Sequence, residues 1–98
     1  MNPLTFEWDD GKNTLNKRKH RISFEEALTV FTDDNALLLP DPGHSTDEDR
    51  FILMGFSASL RILVVCHCNR RSEEVIRIIS ARKATKLERG DYTKRWKK

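Results

Sequence analysis

The sequence predicts an α+β domain with a small antiparallel β-sheet, two N-terminal helices and a C-terminal helix. Helix-start signals occur twice in the first part of the chain and once near its end. Three runs rich in β-branched and aromatic residues follow one another between residues 50 and 81, which is typical of a meander of hairpins. With 98 residues, 38% of them hydrophobic and 34% charged, the chain has room for a single domain, residues 1–98, with one small core.

The first part of the chain is predicted to form one strand and two helices. Apolar residues alternate with polar ones over residues 4–8, which indicates a short strand. Either aspartate at 9–10 can cap a basic helix that runs to about His20. Ser23 and Glu26 have the spacing of a capping box, and the apolar spacing that follows predicts a second, amphipathic helix.

The remaining elements are a brief strand, the meander and a last helix. Residues 36–39 predict the brief strand, and the Pro, Gly, Asp and Ser residues at 40–49 predict a loop. The meander strands are predicted at 50–57, 60–67 and 74–81. Thr85 and Glu88 form a second capping box, which predicts a helix that runs towards Trp96.

Apolar runs and cysteine spacing favour a cytoplasmic protein. The N-terminus has no positive segment followed by an apolar one, so it does not resemble a secretory signal. The longest apolar run, residues 62–66, is too short to cross a bilayer, which argues against a membrane partner. Cys66 and Cys68 lie two apart in a predicted strand, a poor geometry for a disulfide, and their spacing is not that of a zinc site. We therefore expect a reduced, cytoplasmic chain without a metal or other cofactor.

Positive charge is concentrated in two segments, although the net charge is only +3. Residues 12–21 carry five Lys or Arg and no acid, and residues 82–98 carry eight Lys or Arg against two acids. If these two basic segments meet in space, they attract a polyanion such as a nucleic acid. The alternative is that both are helix surfaces whose charges only keep the protein in solution.

Strand register decides which of the cations can act together. A tight turn between the first two meander strands would place Arg50 opposite His67, and the next loop would bring Arg61 beside Arg82 and Lys83. These registers predict two clusters at opposite ends of the strands, about 20 Å apart at ~3.3 Å per residue. One small site would therefore use one cluster or the other.

Both predicted clusters suit RNA cleavage, in which a 2′-hydroxyl attacks the adjacent phosphorus. Two arginines and a lysine can bind a phosphate and stabilise the charge that develops on it. An arginine with a histidine offers phosphate binding and a group that exchanges a proton near neutral pH. This reaction requires a base, an acid and positive charge, but no metal. Taken alone, such a pattern is more often one of ordinary cations at strand ends than of an active site.

Three stretches of the sequence resemble the BrnT toxins of bacterial type II toxin–antitoxin systems. They read FEWDDGKNTLNKRKHRISFEEALTVF, RFILMGFSASLRILVVCHC and IRIISARKATKLERGDY, and they cover nearly the whole chain in the same order. The most specific pieces are Lys19 and His20 followed by SFEEA at 23–27, and ISARKAT at 79–85. One departure is Arg21, where family members commonly have Gly. If that position is left-handed, Arg costs roughly 1 kcal/mol relative to Gly.

The resemblance implies a fold, an activity and two partners. The fold is RelE-like, and the activity is metal-independent cleavage of mRNA, which blocks translation. The implied partners are the mRNA substrate and a BrnA-type antitoxin that neutralises the toxin by direct binding. The antitoxin carries the DNA-binding domain, so this chain alone is not expected to bind DNA.

The resemblance also suggests which residues act. RelE-like nucleases place an arginine at the end of the last strand, a position that Arg82 matches, with Lys83 next to it. Arg61 is the expected companion across the strands. His20, from the family's Lys-His pair, is the expected proton-transfer group, although a histidine at a helix end can also simply cap carbonyls. The predicted catalytic residues are thus Arg82, Lys83, Arg61 and His20, and the predicted RNA-binding residues are Lys19, Arg50, His67 and Arg77.

Two other functions fit the same residues. A non-catalytic nucleic-acid-binding module would use the cations only for phosphate contacts, so RNA binding would occur without cleavage. A protein-interaction module would dock another chain through the Trp96 end of the last helix. Absence of cleavage would favour the first alternative, and protection of Trp96 by a partner would favour the second.

Overall fold

Within residues 4–41, 50–69 and 74–96, which the computed structural model describes, three α-helices and a five-stranded sheet follow in the order β-α-α-β-β-β-β-α. The elements are β1 (Thr5–Glu7), α1 (Asp10–His20), α2 (Phe24–Leu28), β2 (Leu37–Pro40), β3 (Arg50–Phe56), β4 (Ile62–Asn69), β5 (Val75–Lys83) and α3 (Lys86–Trp96). A short 3-10 helix, Thr29–Thr32, continues α2. No helix in these ranges is long and apolar enough to cross a bilayer. The predicted fold class is confirmed, while most of the predicted 40–49 loop lies outside the described residues.

The side-chain signals at the helix starts form hydrogen bonds as predicted, except that the Glu26 carboxylate binds Arg61 and Ser57 and does not return to the Ser23 N–H. The Asp9 carboxylate accepts the N–H three residues on, at 2.9 Å, at the start of α1. The Ser23 hydroxyl accepts the Glu26 N–H at 3.0 Å at the start of α2. At α3 the Thr85 N–H donates to the Glu88 carboxylate at 2.8 Å, while the Glu88 N–H donates to the Thr85 hydroxyl at 3.2 Å. These bonds satisfy N–H groups that have no partner within the helix itself.

The sheet is mixed, with the strand order β1-β5-β4-β3-β2. Strands β3 to β5 pair antiparallel, as the meander predicted, and β2 adds to β3 in the same way. Strand β1 is parallel to β5 and pairs with it only over Val75, Ile76 and Arg77. The rest of this edge of β5 is therefore not paired with β1.

The turn between β3 and β4 is longer by one residue than the predicted tight turn. The two strands are joined by residues 57–61, and Leu60 has a left-handed backbone with φ 62°. The added residue shifts the register, so that Arg50 lies opposite Cys68 instead of His67. Because successive residues of a strand point to opposite faces, Arg50 and His67 lie on different faces of the sheet. The predicted pairing of these two residues is therefore wrong.

The register between β4 and β5 also differs from the predicted one. Arg82 lies opposite Val64, and Val64 is three positions after Arg61 in the chain. The register shifts between Cys66 and His67, which marks a β-bulge. Successive residues of a strand point to opposite faces, and Arg61 and Val64 are an odd number of positions apart. Arg61 and Arg82 therefore lie on opposite faces of the sheet, and the prediction that they are neighbours is wrong. The loop predicted around residue 71 lies outside the described residues.

Each face of the sheet carries an apolar cluster. On one face, α1 and α2 cover a core that includes Phe24, Leu63 and Val65, all completely buried. On the other face, α3 contributes Tyr92 to a smaller cluster with Val64. The smaller cluster lies towards the turn end of β3 and β4, so α3 covers only part of its face.

Candidate functional site

The part of the second face that α3 leaves uncovered is called the open face here. Ile52 and Ser80 both pair with Cys66, from β3 and β5 respectively. Residues directly opposite each other in a ladder present their side chains on the same face. By the same rule Arg82 shares this face with Val64. The open face is thus a patch of aliphatic and small polar side chains with an arginine at its border.

A cavity of about 260 Å³ lies on the open face. Its walls are formed by Asp41, Arg50, Ile52, Val64, Cys66, Ile79, Ser80 and Arg82. Arg50 comes from β3 and Arg82 from β5, so two strands each supply one guanidinium to the same concave site. The predicted placement of these two arginines in separate clusters is therefore wrong, and the shifted registers are the reason.

Arg82 is held beside the cavity by Glu88 in the first turn of α3. Its Nη1 and Nη2 atoms donate to the two oxygens of the Glu88 carboxylate at 2.8 Å and 2.9 Å. The hydrogen bonds from Arg82 are the main reason why the pKa of Glu88 falls to about 2, although burial opposes them. The same carboxylate raises the pKa of Arg82, so both groups stay charged. A guanidinium has five N–H groups, and further ones are available for a phosphate oxygen.

Arg61 lies on the opposite, helix-covered face of the sheet. Its Nε donates to Glu26 at 2.8 Å and its Nη2 at 2.6 Å, and the Ser57 hydroxyl adds a third bond at 2.6 Å. These hydrogen bonds lower the pKa of Glu26, although burial raises it. The charge of Lys83 also lowers this pKa. Arg61 and Lys83 are therefore neighbours around one carboxylate, and the sheet separates them from Arg82.

His67 is a core residue. Its ring packs edge to face against Phe31, with the ring centres 4.9 Å apart, and it is only 4% exposed. Burial lowers the pKa of this imidazole, which therefore stays neutral. His67 does not line the cavity, and its predicted contact with RNA would require the core to open.

Arg77 is closer to the open face than His67 is. It lies opposite Cys68 in β4, and it donates to the Glu7 carboxylate in β1 at 3.2 Å. This ion pair joins the two parallel strands. The predicted role of Arg77 in RNA binding stays a prediction.

A second depression, of about 280 Å³, lies between α1 and the unpaired edge of β5. Its walls are formed by Lys12, Leu15, Asn16, Lys19, His20, Ile79 and Ser80. Ile79 and Ser80 border both this depression and the cavity on the open face. The two hollows therefore meet at the edge of β5, and we call the combined feature the basic groove. It places Lys19 and His20, from the end of α1, across the edge of β5 from Arg50 and Arg82.

Asn16 fixes the two halves of the basic groove together. Its Nδ2 donates to the carbonyls of Ile22 and Ala81, both at 2.8 Å, and its Oδ1 accepts the Ala81 N–H at 3.2 Å. The Asn16 side chain thus makes the hydrogen bonds to the backbone of Ala81, the residue before Arg82, that a neighbouring strand would otherwise make. Sequence reasoning missed it, although the lack of apolar periodicity in α1 could have indicated that asparagines form its buried side.

The basic groove contains cations and one group that can exchange a proton. Arg50 and Arg82 supply charge for a phosphate, and Lys19 supplies more at the far side of the β5 edge. His20, half-buried at the end of α1, is the imidazole that borders the groove within the described residues. Four of the eight predicted site residues therefore line two adjoining hollows, two in each, and they come from both predicted groups.

Comparisons with known proteins identify the family and the fold of the chain. Residues 8–88 match the family model described as "Ribonuclease toxin, BrnT, of type II toxin-antitoxin system". Among solved structures, the chain is similar to the crystal structure of the Brucella abortus ribonuclease toxin, BrnT. The TM-score is 0.64 at 25% identity, and the match covers 85% of this chain and 99% of that one. No curated protein sequence matches.

The family match spans most of the chain, including α1, α2, strands β2 to β5 and the start of α3. The solved structure shares the fold that positions the basic groove. On these grounds the chain belongs to the BrnT family of ribonuclease toxins of type II toxin–antitoxin systems.

Proposed function

We propose that this chain cleaves mRNA, that it inhibits translation in the cytoplasm by doing so, and that a BrnA-type antitoxin neutralises it by direct binding. The observation that carries the proposal is the meeting of two hollows at the edge of β5. Arg50 and Arg82 line one, and Lys19 and His20 line the other. A single strand of RNA that crosses this edge contacts all four side chains, as expected of a groove that follows the phosphate backbone.

The proposed chemistry is transesterification by the ribose 2′-hydroxyl. The bond from the 2′-oxygen to phosphorus forms while the bond from phosphorus to the 5′-oxygen of the next nucleotide breaks. Negative charge builds on the phosphate oxygens, and Arg82 stabilises it, with Arg50 as the second cation. His20 takes up the proton that leaves the 2′-hydroxyl, and water supplies a proton to the departing 5′-oxygen on the other side of the phosphorus.

The pairing of Arg82 with Glu88 supports this assignment. A phosphate-binding arginine acts best when its guanidinium is already in place, because the cost of ordering it is then not incurred during the reaction. Glu88 supplies that order from a helix turn that its own capping box fixes. The positive end of α3 lies nearby and favours the same anion.

Arg61 and Lys83 fall outside the proposed groove. Their catalytic role, expected from the sequence, would require RNA to reach the helix-covered face, where Glu26 already binds Arg61. We therefore assign Arg61 to stability and propose that Arg82 alone of this trio contacts the reacting phosphate.

The experiment is induced expression of the wild type and of Arg82→Ala in bacteria, with and without a co-expressed BrnA-type antitoxin. We expect growth arrest and loss of mRNA with the wild type, rescue by the antitoxin, and neither effect with the variant. Circular dichroism of both purified proteins checks that Arg82→Ala folds.

Two results would contradict the proposal. One is growth arrest by the wild type with mRNA intact. The other is purified wild type that binds RNA but does not cleave it, which would favour a non-catalytic binding module. Failure of the antitoxin to rescue would remove only the proposed partner.

A further inference from the structure

We propose that Asn16 is a positioning residue for RNA cleavage, and that it holds His20 at the end of α1 in place relative to Arg82 in β5. The inference rests on the proposed function, in which His20 and Arg82 act on the same phosphate. It adds a residue that acts only through the backbone segments that carry these two side chains.

Both N–H groups of the Asn16 amide are used by the backbone of the protein. They donate from Nδ2 to the carbonyls of Ile22 and Ala81, both at 2.8 Å. The Oδ1 atom accepts the Ala81 N–H at 3.2 Å, and the residue is only 7% exposed. Because the amide has no further donor for a phosphate oxygen, an effect of Asn16 on cleavage must pass through its partners.

Each backbone partner of Asn16 lies close in the chain to a proposed catalytic residue. Ala81 directly precedes Arg82. Ile22 is completely buried and lies two residues after His20. One amide therefore connects the segment that carries the guanidinium to the segment that carries the imidazole.

Helix α1, all of which the structure describes, buries no apolar side chain that could fix its position instead. Its buried residues are Asn13 and Asn16. Apolar packing has no preferred direction, whereas a hydrogen bond requires a defined distance and angle. The position of α1 against its neighbours therefore depends on the hydrogen bonds of these two amides.

Asn16 also supplies hydrogen bonds that β1 does not provide at this edge of β5. The pairing with β1 extends only to Arg77, four residues before Ala81. Ala81 is only 1% exposed, so without Asn16 its N–H and carbonyl would be buried without these bonds. The end of β5 would move to satisfy them, and Arg82 would move with it. A displacement of about 1 Å can slow an enzymatic reaction by about 100-fold.

Asn13, one turn earlier in α1, is the matched control. It is 6% exposed, its Oδ1 accepts the Phe24 N–H at 2.9 Å, and its Nδ2 donates to the Glu25 carboxylate at 3.0 Å. Both partners belong to α2. The two asparagines thus have the same side chain and similar burial, but only Asn16 connects α1 to the strand of Arg82.

The test compares the wild type, Asn16→Ala and Asn13→Ala as purified proteins. Circular dichroism and urea unfolding establish that each protein is folded and how stable it is. The cleavage rate of one defined RNA is measured with enzyme in saturating excess, so that differences in affinity do not enter. Fluorescence anisotropy gives the Kd for a 2′-O-methyl RNA of the same sequence, which cannot be cleaved.

We expect Asn16→Ala to cleave at least about tenfold more slowly than the wild type, because the two catalytic side chains lose their alignment. Its Kd for the 2′-O-methyl RNA should stay within about twofold, since the substitution removes no charge from the basic groove. Asn13→Ala should also unfold at lower urea concentration, but it should cleave at nearly the wild-type rate. A merely structural role of Asn16 would leave the saturated cleavage rate of the folded variant unchanged.

A double variant tests whether Asn16 acts through Arg82. Asn16→Ala should slow cleavage less in Arg82→Gln than in the wild type, because the guanidinium that Asn16 positions is already absent. Effects that multiply fully would mean that Asn16 acts elsewhere, and they would overturn the inference.

The outcomes separate the inference from the proposed function. Wild-type cleavage by folded Asn16→Ala, or an equal loss in folded Asn13→Ala, would overturn the inference and leave the proposed function standing. A wild type that cleaves no RNA would contradict both. If Asn16→Ala does not fold, Asn16→Gln replaces it, since it keeps the amide on a side chain one methylene longer. Slower cleavage by folded Asn16→Gln supports the inference, and an unchanged rate contradicts it.

Discussion

Arg21 ends α1 in the left-handed conformation, with φ 61° and its N–H bonded to the Lys17 carbonyl at 2.9 Å. Its side chain is exposed, so an amino acid without a Cβ loses no packing there. We predict that Arg21→Gly raises the free energy of unfolding by about 1 kcal/mol, because Gly adopts this conformation without strain. Urea unfolding followed by circular dichroism measures it.

The matched control for Arg21→Gly is Arg18→Gly, three residues earlier in the same helix. Arg18 is also exposed but has helical backbone, so Gly there should lower the free energy of unfolding by about 1 kcal/mol. Opposite signs for the two substitutions are expected. A loss of stability in both would mean that the Arg21 side chain makes contacts that outweigh the backbone strain.

The Glu88 carboxylate in the first turn of α3 has two functions. Glu88 accepts the Thr85 N–H of the capping box and also holds Arg82. Its pKa is about 2 in the folded chain against 4.5 for an ordinary glutamate. A group with a depressed folded-state pKa stabilises the fold fully above its unfolded pKa, and this contribution is lost as the pH falls towards the folded value.

We therefore predict a pH-dependent effect of Glu88→Gln. At pH 6 the variant should be less stable than the wild type by about 1 kcal/mol, a value that allows for solvent screening of a half-buried pair. The difference should shrink steadily between pH 4.5 and the lowest pH at which the fold persists. Urea unfolding at a series of pH values measures it, and a difference that is constant with pH would contradict the ionic role of Glu88.

The helices and their starts could be predicted from the sequence, because a cap depends on residues only three positions apart. Ser23 with Glu26 and Thr85 with Glu88 illustrate this. Strand register could not be predicted, because it depends on the conformation of the turn between β3 and β4 and on a β-bulge in the pairing of β4 with β5. Leu60 adopts a left-handed backbone that leucine rarely takes, and nothing in its identity indicates so.

These two register changes decide how much of the candidate site the sequence could reveal. The predicted cations were chosen by type and by resemblance, and Arg82, Arg50, Lys19 and His20 do meet in the basic groove. The strand registers determine which arginines share a face of the sheet. A register shift by an odd number of residues moves every side chain of a strand to the other face. Sequence reasoning therefore grouped Arg82 with Arg61 when the sheet lies between them.

At the scale of the whole molecule, the sheet separates two arginine–carboxylate pairs of similar geometry. Arg82 with Glu88 borders the basic groove, whereas Arg61 with Glu26 lies on the helix-covered face. Both arginines make two hydrogen bonds to their carboxylate. They differ in position and not in kind, which makes each the control for the other.

The most direct measurement is the rate at which purified Arg82→Gln and Arg61→Gln cleave a defined RNA, side by side with the wild type and with enzyme in excess. For Arg82→Gln we expect a loss of at least about 100-fold, as is typical when a group that stabilises transition-state charge is removed. Arg61→Gln should unfold at lower urea concentration but cleave at nearly the wild-type rate while folded. Wild-type cleavage by Arg82→Gln, or an equal loss in folded Arg61→Gln, would contradict the placement of the active site on the open face.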